Sequence, residues 1–220
     1  MEIKIEESPK YKRVGGKQMN KGRLVAFTDA VLAIIMTILV LELPKPAEPT
    51  FEALLNLKES ILAYTLSFFW IGALWFGMYQ IWSMVEKVSS KVIWYNMVLL
   101  FFASLIPYTT SLVSKYLNET TIQALYGIVV ILLTFSNIAL NKVIDEPNKD
   151  NEKLLATTRH FREALTIDAD IKIIGLILTL TIVPQAMVVS IIVAAFYIMI
   201  IDSRINKLKI LKKIKRKKRA

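Results

Sequence analysis

Four polar side chains, Thr28, Asp29, Thr37 and Glu42, interrupt the apolar run Leu24–Leu43, and Arg23 stands just ahead of it. Polar groups inside an apolar helix are costly, so they mark where function is to be sought. A carboxylate such as Asp29 could carry a proton or a coupled ion. The plainer reading is a hydrated or capping group within about two turns of the helix end. At about 100° per residue, Phe27, Ala30, Ile34, Thr37, Ile38 and Leu41 fall within roughly 60° of one line. That stripe is apolar with one hydroxyl, and Asp29 points to nearly the opposite side. On periodicity alone, Ile34, Ile38 and Leu41 read as a packing or lipid-facing stripe, and Thr37 as a hydroxyl bonded back to its own helix. Arg23 lies six residues from Asp29, which puts the two on different faces. Asp29 therefore needs partners from other helices, or water.

Other chemistries lack their residues. The 220-residue chain has no Cys, which removes thiolate metal sites and thiol nucleophiles. Its single His160 excludes a multi-histidine metal site, and in the basic stretch Thr157–Glu163 it reads as ordinary surface. No P-loop and no Gly-Xaa-Ser-Xaa-Gly elbow occurs. The chain is therefore not expected to be an enzyme or to need a cofactor.

The elements that must hold these residues are helices in a bilayer. Hydrophobic residues make up 55% of the chain and charged ones 21%; ordinary globular domains have about 45–50% and 25%. Mean hydropathy is +0.48. A crossing needs about 20 mostly apolar residues. Leu24–Leu43 qualifies and stops at the proline-rich segment 44–49, followed by a short amphipathic surface helix with Thr50 as cap. Ile61–Trp82, Val92–Val113 and Ile122–Leu140 are the next three spans. Ile171–Val183 and Ala186–Ile201, divided by Pro184-Gln185, form a short helical hairpin. The fold expected is an all-α membrane protein with six transmembrane helices. The aromatic residues at span ends (Trp82, Trp94, Tyr95, Tyr116) read as an interface belt.

Charge sets the orientation. Residues 1–23 carry 7 Lys and Arg, 83–91 carry 2, 142–172 carry 6 and 202–220 carry 10; the opposite loops hold only Lys45, Lys58 and Lys115. Both termini are therefore expected in the cytoplasm. The division is a basic N-terminus (1–23), a six-helix transmembrane domain (24–203) and a basic tail (204–220). Following a membrane helix, that tail reads as a topology signal resting on anionic lipid head groups and not as a nucleic-acid site, each basic residue near the surface being worth about 1 kcal/mol. Within the spans, Trp75 and Gln80, Asn96 and Pro107, and Asn137 and Asn141 add polarity or a break. Gln80 and Asn96 lie at about the depth of Asp29. A cluster of Arg23, Thr28, Asp29, Gln80 and Asn96 would remove the penalty of leaving each unpaired.

Arg23, three residues, then Phe27-Thr28-Asp29, followed by Ala33-Ile34, Thr37 and Leu41-Glu42-Leu43, resembles the signature of the transmembrane protein 175 family. Ser67-Phe-Phe-Trp-Ile, Trp94-Tyr-Asn96 and Ser104-Leu-Ile-Pro107-Tyr-Thr-Thr extend the resemblance over residues 23–126. These are endosomal/lysosomal-type potassium channels and their prokaryotic relatives, and the chain is similar to the single-repeat prokaryotic branch. Thr28 replaces the family's Ser with the hydroxyl retained. Met78-Tyr79-Gln80 stands where relatives often have a His, which leaves the partners of Asp29 open.

The resemblance implies a homotetramer in a prokaryotic plasma membrane, with the first helix of each subunit lining a central pore for potassium ions. Ile34 would be the narrowest hydrophobic ring and gate. Thr37 would supply a hydroxyl ring favouring potassium, with Ile38 and Leu41 as further constrictions. Arg23, Phe27, Thr28 and Asp29, with Trp75 and Asn96, would form a structural network holding the pore helix. The alternative is a proton-coupled secondary transporter using Asp29, although no inverted repeat is visible. A third is a scaffold whose basic tail recruits partners.

Overall fold

The computed structural model describes residues 21–198, and within them the chain is helical with short connections. The helices are α1 (Lys21–Leu41), α2 (Phe51–Leu55), α3 (Lys58–Trp82), α4 (Ser90–Ser104), α5 (Ile106–Lys115), α6 (Thr120–Asp145), α7 (Glu152–Thr181) and α8 (Ala186–Ile198). A single 3-10 turn, Glu146–Asn148, follows α6. Residues 1–20 and the expected basic tail lie outside the described residues.

Local chemistry explains several boundaries. The Ala53 N–H donates to Thr50 Oγ1 at 3.2 Å, capping α2, and Asn151 Oδ1 accepts from Leu154 N at 3.0 Å, capping α7. Between α4 and α5 the helix is interrupted at Leu105, two residues before Pro107. Proline has no N–H and its ring crowds the carbonyl four residues back, so the Val92–Val113 span is two helical segments in one line.

Among the described residues, four helical runs are long and apolar enough to cross a membrane: Lys21–Leu41, Lys58–Trp82, Ser90–Lys115 and Thr120–Asn148. The fifth expected span has different limits. Ile171–Val183 belongs mostly to α7, a 30-residue helix that also contains the preceding basic stretch and is about 45 Å long. No proline lies between Glu152 and Thr181 to stop it. The hairpin turn falls at Ile182–Gln185, where Thr179 Oγ1 donates to the Pro184 carbonyl at 3.2 Å. α7 and α8 approach closely at Gly175, where an added Cβ would collide with the Ser190 side chain.

Leu32, Leu39, Ile71, Val92, Leu99, Ile106, Val130 and Leu133 form the buried centre where α1, α3, α4–α5 and α6 meet. Trp82 belongs to this core and not to an interfacial belt, whereas Trp94 is exposed. Three hydroxyls cross-link the other end of the bundle: Ser67 Oγ lies 2.7 Å from Thr110 Oγ1 and 3.1 Å from Tyr126 OH. At the opposite end Asn148 binds the 86–87 backbone. Its Oδ1 accepts from Glu86 N at 3.1 Å and Lys87 N at 2.9 Å. Its Nδ2 donates to the carbonyls of Lys87 and Ile144, each at 2.9 Å.

Lys172 departs from its expected place among solvated loop cations. It is fully buried, donating to Asp168 Oδ2 and to Thr134 Oγ1, with its ammonium 4.9 Å from the centre of the Trp70 ring. A lone ammonium in an apolar helix is too costly to leave unpaired, and Asp168 one turn earlier is within reach. Removing Lys172 from the loop count leaves the contrast between the two sets of loops intact.

Candidate pore-lining face

α1 has three distinct sides. Leu24, Thr28, Leu32, Ile35 and Leu39 recur at three- and four-residue steps and are buried against the neighbouring helices. Asp29 lies on a second side, where its Oδ1 accepts from Trp75 Nε1 of α3 at 2.9 Å. The third side carries Phe27, Ala30, Ile34, Thr37, Ile38 and Leu41, and all six are exposed. Ile34 is 57% and Leu41 79% exposed. The stripe is thus the face of α1 turned away from the rest of its own chain.

The hydroxyl in that stripe has a defined role in hydrogen bonding. Thr37 Oγ1 donates to the Ile34 carbonyl at 2.8 Å. With its proton committed to the backbone, the oxygen presents lone pairs outward. Such an atom can accept from water or touch a cation; it has nothing to offer an anion. Above and below it the stripe is alkyl and aromatic, which can exclude water from a narrow passage but cannot replace ion hydration.

The residues expected to hold the helix are divided. Asn96 Nδ2 of α4 donates to Thr28 Oγ1 at 2.8 Å, and Thr28 Oγ1 donates in turn to the Leu24 carbonyl at 2.9 Å. Both side chains are buried. Asp29 and Trp75 form a separate pair, and the Trp75 ring stacks on Tyr79. Trp75 thus supplies an N–H to Asp29 from α3. Arg23 and Phe27 are exposed and join neither pair within the chain. Gln80 and His160 of α7 line one crevice away from these pairs, so the single cluster expected at this depth is divided.

The Asp168–Lys172–Thr134 group and the Ser67–Thr110–Tyr126 hydroxyls escaped the sequence reading. The first had a signal: an acid and a base one helical turn apart, opening an apolar run. The second had none, since three hydroxyls on three helices meet only through packing. His160, expected at the surface, is half-buried. Among the described residues, no group of three or more His, Cys, Asp or Glu side chains could hold a metal ion.

A family model described as endosomal/lysosomal potassium channel TMEM175 matches residues 23–107. A protein named potassium channel from Chryseobacterium sp. (strain P1-3) is 37% identical over 150 residues, covering 68% of this chain and 78% of its own length. Another of that name from Streptomyces collinus is 32% identical over 127 residues, covering 54% of this chain and 62% of the relative. The fold is similar to the crystal structure of a lysosomal potassium-selective channel TMEM175 homolog from Chamaesiphon minutus. That likeness has a TM-score of 0.69 at 23% identity and covers 81% of this chain and 96% of the other. With the all-helical architecture and its four long apolar runs, these similarities place the chain among integral membrane proteins, and it belongs to the TMEM175 family.

Proposed function

We propose that the chain is a potassium-preferring cation channel that assembles as a homotetramer around the exposed stripe of α1. The observation that carries this reading is the outward Ile34–Thr37–Ile38–Leu41 face on a helix whose other two sides are engaged within the chain. One helix cannot enclose a conduit, so several copies must meet about an axis. Ile34 is the gate, closing by dewetting and opening by modest helix movement. Thr37 oxygens, turned outward by their backbone bond, supply the only polar ring in the stripe and favour a partly dehydrated potassium ion. The Thr28–Asn96 and Asp29–Trp75 pairs hold the pore helix at its angle, with Arg23 and Phe27 completing that network between subunits. The relatives named potassium channels support the choice of ion.

Six membrane helices per chain make up the channel domain, residues 24–203. The basic segments 1–23 and 204–220 lie on the cytoplasmic side of a prokaryotic plasma membrane, the tail against anionic head groups. The loop charges and the α7–α8 hairpin support this topology.

Purified protein in a planar bilayer under a potassium/sodium gradient tests the reading. Currents should reverse toward the potassium equilibrium potential, and a reversal at zero ends the selectivity claim. Ile34→Asn should abolish closure. If Ile34→Asn leaves flux unchanged while Asp29→Asn abolishes proton-coupled uptake, the chain is a carrier instead.

A further inference from the structure

A crevice of about 450 Å³ lies between α3, α6, α7 and α8, away from the α1 stripe. That volume falls within the roughly 300–1,000 Å³ of small-molecule sites. Its walls are largely apolar, with Phe69, Phe76, Phe161 and Phe196 among them. Asp168, Lys172 and Thr134 also line it. They stand about 14–21 Å along α6 and α7 from the Thr120 and Thr181 ends, near the middle of a bilayer about 30 Å thick.

The polar wall is unequally satisfied. The Lys172 ammonium has Asp168 Oδ2, Thr134 Oγ1 and the Trp70 ring as partners. Asp168 is 1% exposed, and its second oxygen, Oδ1, is buried with no hydrogen-bond partner. The charges of the pair cancel, so the site does not select an anion. His160 Nε2, farther along the same crevice, is also buried without a partner; at Asp168 Oδ1 what is missing is a hydrogen-bond donor, and an unmet buried acceptor is costly.

We propose that this crevice binds a neutral long-chain alcohol, its hydroxyl donating to Asp168 Oδ1 and its chain lying between α3 and α8. The apolar walls match the chain, and the orphaned carboxylate oxygen matches the single donor. The site is independent of the pore reading, because its residues and its test involve neither α1 nor ion flow.

Photolabelling tests it on the full-length protein in lipid vesicles. A diazirine-bearing dodecanol should label crevice residues of α3, α7 and α8 saturably. Free dodecanol should compete about tenfold better than dodecane, the size of one hydrogen bond to a charged group. Ala73→Phe, which fills the crevice from α3, should reduce the labelling. The pair Asp168→Leu with Lys172→Leu removes the acceptor without stranding a charge; dodecanol should then lose its advantage over dodecane while labelling persists. Equal competition by dodecane and dodecanol in the unmutated protein overturns the proposal. So does non-saturable labelling spread over all lipid-facing helices. Complete protection of the crevice also overturns it, because a second copy or the chain beyond Ile198 would then be the occupant.

Discussion

α1 and α7 deal with polarity in opposite ways. α1 ties two of its polar side chains to neighbouring helices in modest pairs, Asn96 with Thr28 and Trp75 with Asp29, and turns an isoleucine-bearing side away from its own chain. α7 buries an acid and a base one turn apart and packs them against α6 and α3. The α7 arrangement is complete within one copy of the chain, apart from a single carboxylate oxygen. The α1 arrangement leaves a whole side unengaged. In the channel we propose, the charged helix belongs to the scaffold, and the uncharged stripe is where copies meet.

Substitutions can break or sharpen that contrast, read first as stability in detergent. Lys172→Met should have the largest effect, about 3–5 kcal/mol, because it leaves Asp168 buried and unpaired. The Leu/Leu double replacement of Asp168 and Lys172 should recover most of that loss in the same unfolding assay. Gly175→Ala should cost about 1–3 kcal/mol by overpacking against Ser190. A smaller loss, about 0.6–1.7 kcal/mol, is expected for Thr28→Val, which removes one interhelical hydrogen bond in the membrane. Ile34→Ala should shift the unfolding of a dispersed single chain least, by about 0.5 kcal/mol or less, as for other exposed positions. The same change should alter conductance in bilayer recordings. A large loss of single-chain stability at Ile34 would mean that the side chain packs within its own subunit.

The spans with uninterrupted apolar runs were legible in the sequence to within a few residues at most ends. Leu24–Leu43 corresponds to Lys21–Leu41 and Ile61–Trp82 to Lys58–Trp82. α7 was not, because hydropathy registers composition and not helix continuity; a helix can pass from basic to apolar without a break. Lys172 was misplaced for the same reason, since a cation at the edge of an apolar run looks like a loop residue until its partners are known. The three sides of α1 could be drawn from its 100° period. Which partner answered Asp29 could not, because tertiary packing alone brings Trp75 to it. Trp82 carries a related lesson: position near a span end says nothing about whether a ring points to lipid or inward.

Asn148 has a mechanical consequence. Three bonds from one amide fasten the end of α6 to the strip of backbone between α3 and α4, and a fourth returns to the Ile144 carbonyl of α6. That connection consequently has little slack of its own. A displacement of α7, which Arg162 ties to Asp145 of α6 at 2.6 Å, should then reach α3 and α4 as a tilt of neighbouring rods, with no yielding loop to absorb it.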